Sequence, residues 1–138
     1  MLNTEKEACW ILDEAAATLS LAYNLVEKRK IKEIILTLQN ELLALQDEIK
    51  SGVHSFDPAT LDALVTRFDV DTNSVKSSGK LPAKLGTAAL HLAQAKVRHA
   101  AAKVGLSNPW GINKLAFDNL NKLAGVLYAL AGDEEGAT

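Results

Sequence analysis

The first fifty residues carry two successive helical patterns of apolar side chains, and no glycine or proline separates them. One continuous helix over residues 4–50 would be about 70 Å long at 1.5 Å per residue. That length does not fit a compact domain of 138 residues, so we predict a turn within residues 24–30. The apolar positions are Ile11, Leu12, Ala15, Ala16, Leu19, Ala22 and Val26 before the turn, and Ile31, Ile34, Ile35, Leu38, Leu42, Leu45 and Ile49 after it.

Capping signals mark the ends of the first helices. Thr4 and Glu7 have the spacing of a capping box and predict the start of the first helix. The second helix is predicted to end at Ser51-Gly52. Asp57-Pro58 predicts an N-cap followed by the first residue of a third helix. The side chains of that helix expected to face inward are Leu61, Leu64, Val65 and Phe68.

Polar and glycine-containing segments set the middle boundaries. The third helix is predicted to end in the polar run of residues 74–80, and residues 77–82 are expected to form the longest internal loop. The fourth helix is predicted over residues 83–104 and is expected to end at Gly105.

A fifth helix is predicted from Asn108-Pro109 to Gly132. Residues 132–138 are then expected to be a frayed tail of a single domain over residues 1–138. Strand patterns and internal repeats are absent from the sequence. The predicted fold is therefore all-α, a five-helix up-and-down bundle with short connections.

Composition excludes several classes of protein. Hydrophobic residues make up 48% and charged residues 23%, which is ordinary for a globular domain. A net charge of −2 argues against broad nucleic-acid affinity. No apolar run approaches the ~20 residues needed to cross a bilayer, and no basic-then-apolar leader is seen, so we expect a cytoplasmic protein without membrane contact. The single Cys9 is expected to be a buried small hydrophobe.

Recognisable chemical motifs are lacking. The sequence has no phosphate-binding glycine loop, no cysteine pair and no Gly-x-Ser-x-Gly. His91 and His99 would lie ~80° apart around a helix, and His54 falls in a loop, so no metal site is predicted. The basic residues 28–32 are interpreted as a solvated turn, with anion binding as the alternative. Both tryptophans are expected to pack in the core or at an interface: Trp10 and Trp110.

The predicted fourth helix carries two stripes. His91, Gln94 and Arg98 form a polar stripe at helical spacing. A half-buried His and Arg need partners, and these are either a ligand or structural groups such as a carboxylate. The other stripe consists of small and apolar residues, and we expect it to be a packing face: Leu85, Ala88, Ala89, Leu92, Ala95 and Ala102.

Four segments resemble the propanediol-utilisation-type ATP:corrinoid adenosyltransferases. Residues 13–22 are similar to that family's Asp-Glu-Leu-Asn-x-x-x-Gly-x-Ala segment, and residues 38–42 to its Ile-Gln-x-x-Leu helix. Residues 90–101 resemble its Leu-His-x-Ala-Arg-x-x-x-Arg-Arg-Ala-Glu signature, and residues 120–123 its Leu-Asn-Arg-Leu segment. The matches keep their order and spacing across nearly the whole chain.

The resemblance implies a fold, an assembly and a site. The family forms a five-helix bundle assembled as a homotrimer, with ATP, magnesium and corrinoid sites between subunits. Arg98 is the residue that would carry catalysis if activity is retained. The cofactor-binding positions implied by the resemblance are Asp13, His91, Gln94, Arg98, Asn121 and Lys122.

Departures from the family pattern argue against catalysis. The signature's first Arg, which pairs with the acidic residue matched by Asp13, is Gln94 here. The late Arg and Asp positions are Lys122 and Gly125, and residues 77–82 lack the aromatic that crowds the corrinoid. The residues before Asp13 offer no counterpart of the glycine- and threonine-rich segment that wraps the ATP phosphates.

Two hypotheses of different class follow. The first is a binding or assembly protein, descended from the transferases, that has lost catalysis and keeps an intersubunit cleft for another small ligand. The alternative is a short but active ATP:cob(I)alamin adenosyltransferase, which a glycine-rich extension in the native gene product would favour. With Gln94 in place of its family partner, Asp13 is expected either to pair with Arg98 or to lie exposed.

Overall fold

A computed structural model describes residues 3–71, 81–107 and 111–136. Within these ranges helices are the only regular secondary structure, as predicted. The five helices are α1 (Asn3–Leu25), α2 (Arg29–Ser51), α3 (Ala59–Arg67), α4 (Leu85–Ser107) and α5 (Gly111–Glu135). The four long helices form the bundle. α4 packs against both α1 and α5, α2 closes the bundle against α1 and α5, and the short α3 lies on α5.

Three polar side chains of α2 fix its antiparallel register on α1. The donors are spaced by seven residues, as are the main-chain carbonyl groups that accept from them. This is the repeat of a coiled-coil seam, so the three bonds lie along one antiparallel contact line between the two helices. The pairs are Lys32 Nζ with Tyr23 O, Gln39 Nε2 with Ala16 O at 3.1 Å, and Gln46 Nε2 with Cys9 O at 3.1 Å.

Ion pairs at the same seven-residue spacing join α1 to α4. Glu7 Oε2 lies 3.0 Å from Lys103 Nζ, and Glu14 Oε2 lies 3.5 Å from Lys96 Nζ. Partly exposed pairs of this kind contribute up to about 1 kcal/mol each. They therefore contribute more to the antiparallel register of the two helices than to the overall stability of the fold.

The predicted turn between the first two helices is confirmed at residues 26–28. The end of α2 is also confirmed, because Gly52 adopts a φ of 70° and donates its amide to the Glu48 carbonyl. The first helix differs from the prediction at its start. Asn3 is already helical, so Thr4 lies inside α1 and is not its N-cap.

The third helix is shorter than predicted. It ends at Arg67, well before residues 74–80, because Asp69 adopts a left-handed φ of 50°. The amide of Asp69 donates to Thr66 O at 3.2 Å and that of Val70 to Val65 O at 3.0 Å, which is a Schellman C-cap. At the other end Pro58 is the N-cap, and the predicted cap Asp57 instead accepts from the Ala59 amide at 3.0 Å. Residues 77–80 of the predicted loop lie outside the described residues.

Gly105 does not end the fourth helix, which continues to Ser107. A Cβ atom at Gly105 would lie 2.9 Å from Phe117 Cδ2 of α5. The glycine therefore permits close packing of two helices and has no capping role. Asn108-Pro109 and Trp110 lie outside the described residues.

The prediction of a frayed tail over residues 132–138 is wrong for residues 132–135, because α5 continues to Glu135. Glu134 is fully buried, and its carboxylate accepts from the amides of Glu27 at 2.7 Å and Lys28 at 3.3 Å. Asp133 Oδ1 lies 3.1 Å from Lys28 Nζ. The N-cap residue of α2 makes no side-chain capping bond of its own, so α5 supplies the acceptor at that helix start.

Glu135 makes the equivalent contact before α4. Its carboxylate accepts from the amides of Ala83 at 2.9 Å and Lys84 at 3.3 Å. The bond from Ala83, above all, holds the pKa of Glu135 below its usual value. The end of α5 therefore joins the starts of two other helices.

The packing face predicted on the fourth helix is mostly its outer surface. Of the six residues assigned to it only Ala89 is buried, and α4 instead buries residues such as Gly86, Leu90, Ala93 and Val97. Both sides of α4 are apolar, so spacing alone could not distinguish them. We call the exposed set the α4 outer stripe: Leu85, Ala88, Leu92, Ala95, Ala102 and Leu106.

Burial of Cys9 is confirmed at 4% exposure, and burial raises the pKa of its thiol. A core position for Trp10 is wrong, because that side chain is 65% exposed. No helix in the described part of the chain combines the length and apolar character that a bilayer crossing requires.

Replacing Glu134 tests the contact between α5 and α2. Glu134→Ala leaves two amide groups at the start of α2 without their acceptor, and we expect a loss of about 2–3 kcal/mol in the free energy of unfolding. Urea unfolding followed by circular dichroism measures it. Glu33→Ala, at an exposed site on α2, should change stability by less than about 0.5 kcal/mol. Equal effects of the two variants would contradict the capping role.

Candidate functional site

A cleft of about 160 Å³ lies where the segment after α3 meets α4 and α5. It contains Arg98, the charged residue of the predicted polar stripe and the one best suited to bind an anion. We call it the Arg98 cleft. The described residues that line it are Phe68, Asp69, Val70, Asp71, Arg98, Gly125, Tyr128 and Ala129.

Arg98 enters this cleft with an unused hydrogen-bond donor. Its Nε atom is buried and has no hydrogen-bond partner, and no ion pair to Arg98 is formed within the described ranges. Burial lowers the pKa of the guanidinium, although an arginine still remains charged. A buried donor on a cation is the group expected to bind an anionic oxygen.

His91 and Gln94 lie on the same side of α4 as Arg98. The His91 ring packs edge-on against Tyr128 with centroids 5.9 Å apart, and its Nδ1 lies 3.4 Å from Gln94 Oε1. Gln94 itself is only 4% exposed. The polar stripe therefore faces α5, and two of its three members contribute to the wall beside the Arg98 cleft rather than to its lining.

Asn121 and Lys122 are placed differently from one another. Asn121 precedes Gly125 and Tyr128 by four and seven residues on α5, so it shares their face of the helix. Lys122 Nζ lies 2.9 Å from Asp62 Oδ1 of α3. Its charge is thus already opposed by a carboxylate of the same chain.

Asp13 does not join this group within the protomer. It is exposed on the side of α1 that faces α2, and its Oδ1 accepts from Gln46 Nε2 at 2.7 Å. Of the two alternatives for Asp13, the exposed one is therefore observed in the protomer. A pair between Asp13 and Arg98 of different copies stays a prediction.

Gly125 and Val70 are site residues that the sequence reasoning did not connect. A Cβ atom at Gly125 would overlap Val70 Cγ1. Val70 is placed there by the Schellman cap at the end of α3, immediately after the left-handed Asp69. A valine thus occupies the space next to α5 where the family pattern carries an acidic side chain. The sequence signal for this contact is the Asp-Val-Asp segment at residues 69–71, directly after the apolar third helix.

Charged groups of both signs line the described part of the cleft. Arg98 contributes a cation with a buried donor, and Asp69 and Asp71 contribute carboxylates. Phe68 and Tyr128 add aromatic surface.

Other features of the described residues lie apart from this site. A larger cavity of about 520 Å³ at the far end of α4 is lined by Ala102, Gly105, Leu106, Lys114 and Phe117, and it includes none of the predicted site residues. Near the end of α2, the buried Glu48 accepts from the Ser55 and Phe56 amides and lies 2.6 Å from His54 Nδ1. The described ranges contain no group of three or more His, Cys, Asp or Glu suited to a metal ion.

Comparison with known proteins agrees with the fold. The family model named cobalamin adenosyltransferase matches residues 7–132. The match extends from α1 through most of α5 and includes all six predicted cofactor-binding positions. No curated protein matches the sequence.

Replacing Gly125 tests the close approach of Val70. Gly125→Ala is expected to lower the free energy of unfolding by about 1–3 kcal/mol, because the new methyl group overlaps Val70. In a Val70→Ala background the same change should lose less stability. The matched control is Gly132→Ala, also on α5, where nothing lies within 4 Å of the added Cβ. Equal or greater stability of Gly125→Ala relative to this control would contradict the packing.

Proposed function

Because the chain belongs to the cobalamin adenosyltransferase family, we propose that it is a member that has lost adenosyl transfer. It acts as a binding and assembly module, a homotrimer with a small-molecule ligand cleft, the Arg98 cleft, beside the surface between its copies. The observation that carries this proposal is the described lining of that cleft, in which the buried Arg98 donor and the Asp69 carboxylate occur together and Val70 packs on Gly125.

These residues do not fit ATP. Adenosyl transfer expels triphosphate, so the site must hold a large negative charge with preorganised cations and amide donors. Here the first Arg of the family signature is the neutral, buried Gln94, and Lys122 is paired with Asp62. Each lost charge-assisted contact removes about 1.5–3 kcal/mol. Asp69 in the lining would in addition repel the phosphates.

The Arg98 cleft does not fit a corrinoid either. Pockets that enclose drug-sized ligands have volumes of about 300–1,000 Å³, and a corrinoid is larger than such ligands. The Arg98 cleft measures about 160 Å³. We therefore derive no step through ATP, magnesium or a corrinoid.

The α4 outer stripe supports assembly of several copies. Its residues recur at spacings of three, four and seven along α4, which is the pattern of a helix–helix seam, with His99 at the position between Ala95 and Ala102. Leucines at three positions are separated by alanines that allow close approach of a second helix. Trp10 of α1 is also exposed. The number three comes from the family resemblance.

Charges placed in the α4 outer stripe should disrupt the assembly. Sedimentation equilibrium of the unmodified chain is expected to give a mass near three times the 14.8 kDa protomer. Leu92→Glu should shift the mass toward the protomer, since it buries a charge at the seam. Leu36→Glu, at an equally exposed site on α2, should leave the mass unchanged. A protomer mass for the unmodified chain at micromolar concentration would reject the trimer.

An anaerobic assay tests the loss of catalysis. With reduced corrinoid, magnesium and excess ATP, we expect no cobalt–carbon bond formation above the no-protein control, as followed by the optical spectrum. Turnover that falls on Arg98→Ala would instead establish the alternative, a short but active ATP:cob(I)alamin adenosyltransferase. The unrelated exposed variant Leu36→Glu should not affect such turnover.

A further inference from the structure

We propose that the Arg98 cleft binds a small zwitterion, with a carboxylate at one end and an ammonium group at the other. This inference rests on the proposed function, because a cleft used for ATP would not be open to another ligand. It specifies the class of ligand for that same site.

The carboxylate end is assigned to Arg98. The Nε donor of Arg98 is buried and has no hydrogen-bond partner, and buried donors in folded proteins are nearly always paired. The planar guanidinium matches a carboxylate through two parallel hydrogen bonds. A ligand carboxylate would supply the acceptor that this donor lacks and would also oppose its charge.

The ammonium end is assigned to Asp69. Asp69 lines the cleft and is held in a left-handed backbone conformation by the C-cap of α3. Non-glycine residues in this conformation are uncommon and are often found where a site requires them. Tyr128 presents an aromatic ring in the same lining, and ring faces attract cations. The Phe68 ring already carries the Arg67 guanidinium at 5.3 Å from its centroid.

The volume limits the length of the ligand. One water molecule occupies about 30 Å³ of liquid, so a cleft of about 160 Å³ has room for only a few such groups. An ω-amino acid with two to four methylene groups fits this limit. A nucleotide does not.

A series of probes tests both ends of the ligand separately. The zwitterions are 3-aminopropionate, 4-aminobutyrate and 5-aminopentanoate. Butyrate and butylammonium each keep one charged end, and inorganic phosphate and ATP represent the anions of the ancestral reaction. Binding is followed on the unmodified chain through the ¹⁵N–¹H signal of the Arg98 Nε, identified by its loss in Arg98→Lys.

We expect a saturable shift with at least one zwitterion, at an affinity about ten-fold or more above that of butyrate and of butylammonium. Asp69→Asn should remove the preference for the zwitterion over butyrate. Arg98→Lys should weaken binding of the zwitterion, as measured by calorimetry. Arg29→Lys, a fully exposed site, is the control and should bind as the unmodified chain does.

Three results would overturn the proposal. The first is tighter binding of phosphate or ATP than of every zwitterion, and the second is the absence of a shift with all three zwitterions up to about 10 mM. The third is an unchanged preference in Asp69→Asn. None of these depends on turnover, whereas failure of the proposed function appears as turnover in the anaerobic assay. The two can therefore fail independently.

Discussion

The register of α1 against its two neighbours is the constraint on which the rest of the structure depends. Donors spaced by seven residues on α2 bond to carbonyl groups of α1, and ion pairs at the same spacing join α1 to α4. Each contact is weak by itself, since partly exposed polar contacts add about 1 kcal/mol or less. Together they favour the observed alignment of α2 and α4, each antiparallel to α1, because a slip of one turn would separate the paired charges of both α1–α4 contacts.

That alignment determines which side of α4 faces α5. Lys96 and Lys103 reach back to α1, so Arg98 and His91 are turned toward α5 and the segment after α3. The same rotation leaves the α4 outer stripe in solvent. The end of α5 then joins the starts of α2 and α4 through Glu134 and Glu135. The Arg98 cleft and the proposed assembly surface thus lie on adjoining faces of one helix.

The Arg98 cleft brings together several of the departures from the family pattern. Loss of a side chain at Gly125 lets Val70 pack on α5, and the C-cap that delivers Val70 also places Asp69 in the lining. Gln94 removes a positive charge and Lys122 is paired with Asp62. The changes agree in direction, since each reduces the capacity of the site for a polyphosphate while leaving the Arg98 donor buried.

Local patterns in the sequence were sufficient for the helices, the turn near residue 27 and the cap at Gly52, because these depend on spacing and on backbone preferences within a few residues. Helical spacing located the stripe of His91, Gln94 and Arg98, and the family resemblance implied a binding role for it. Only the tertiary structure decided which apolar side of α4 is buried, since both sides have helical spacing. It also showed that Gly105 serves packing, that Glu134 is a buried cap, and that Val70 reaches Gly125. Those roles depend on atoms far apart in the chain, and no local pattern contains them.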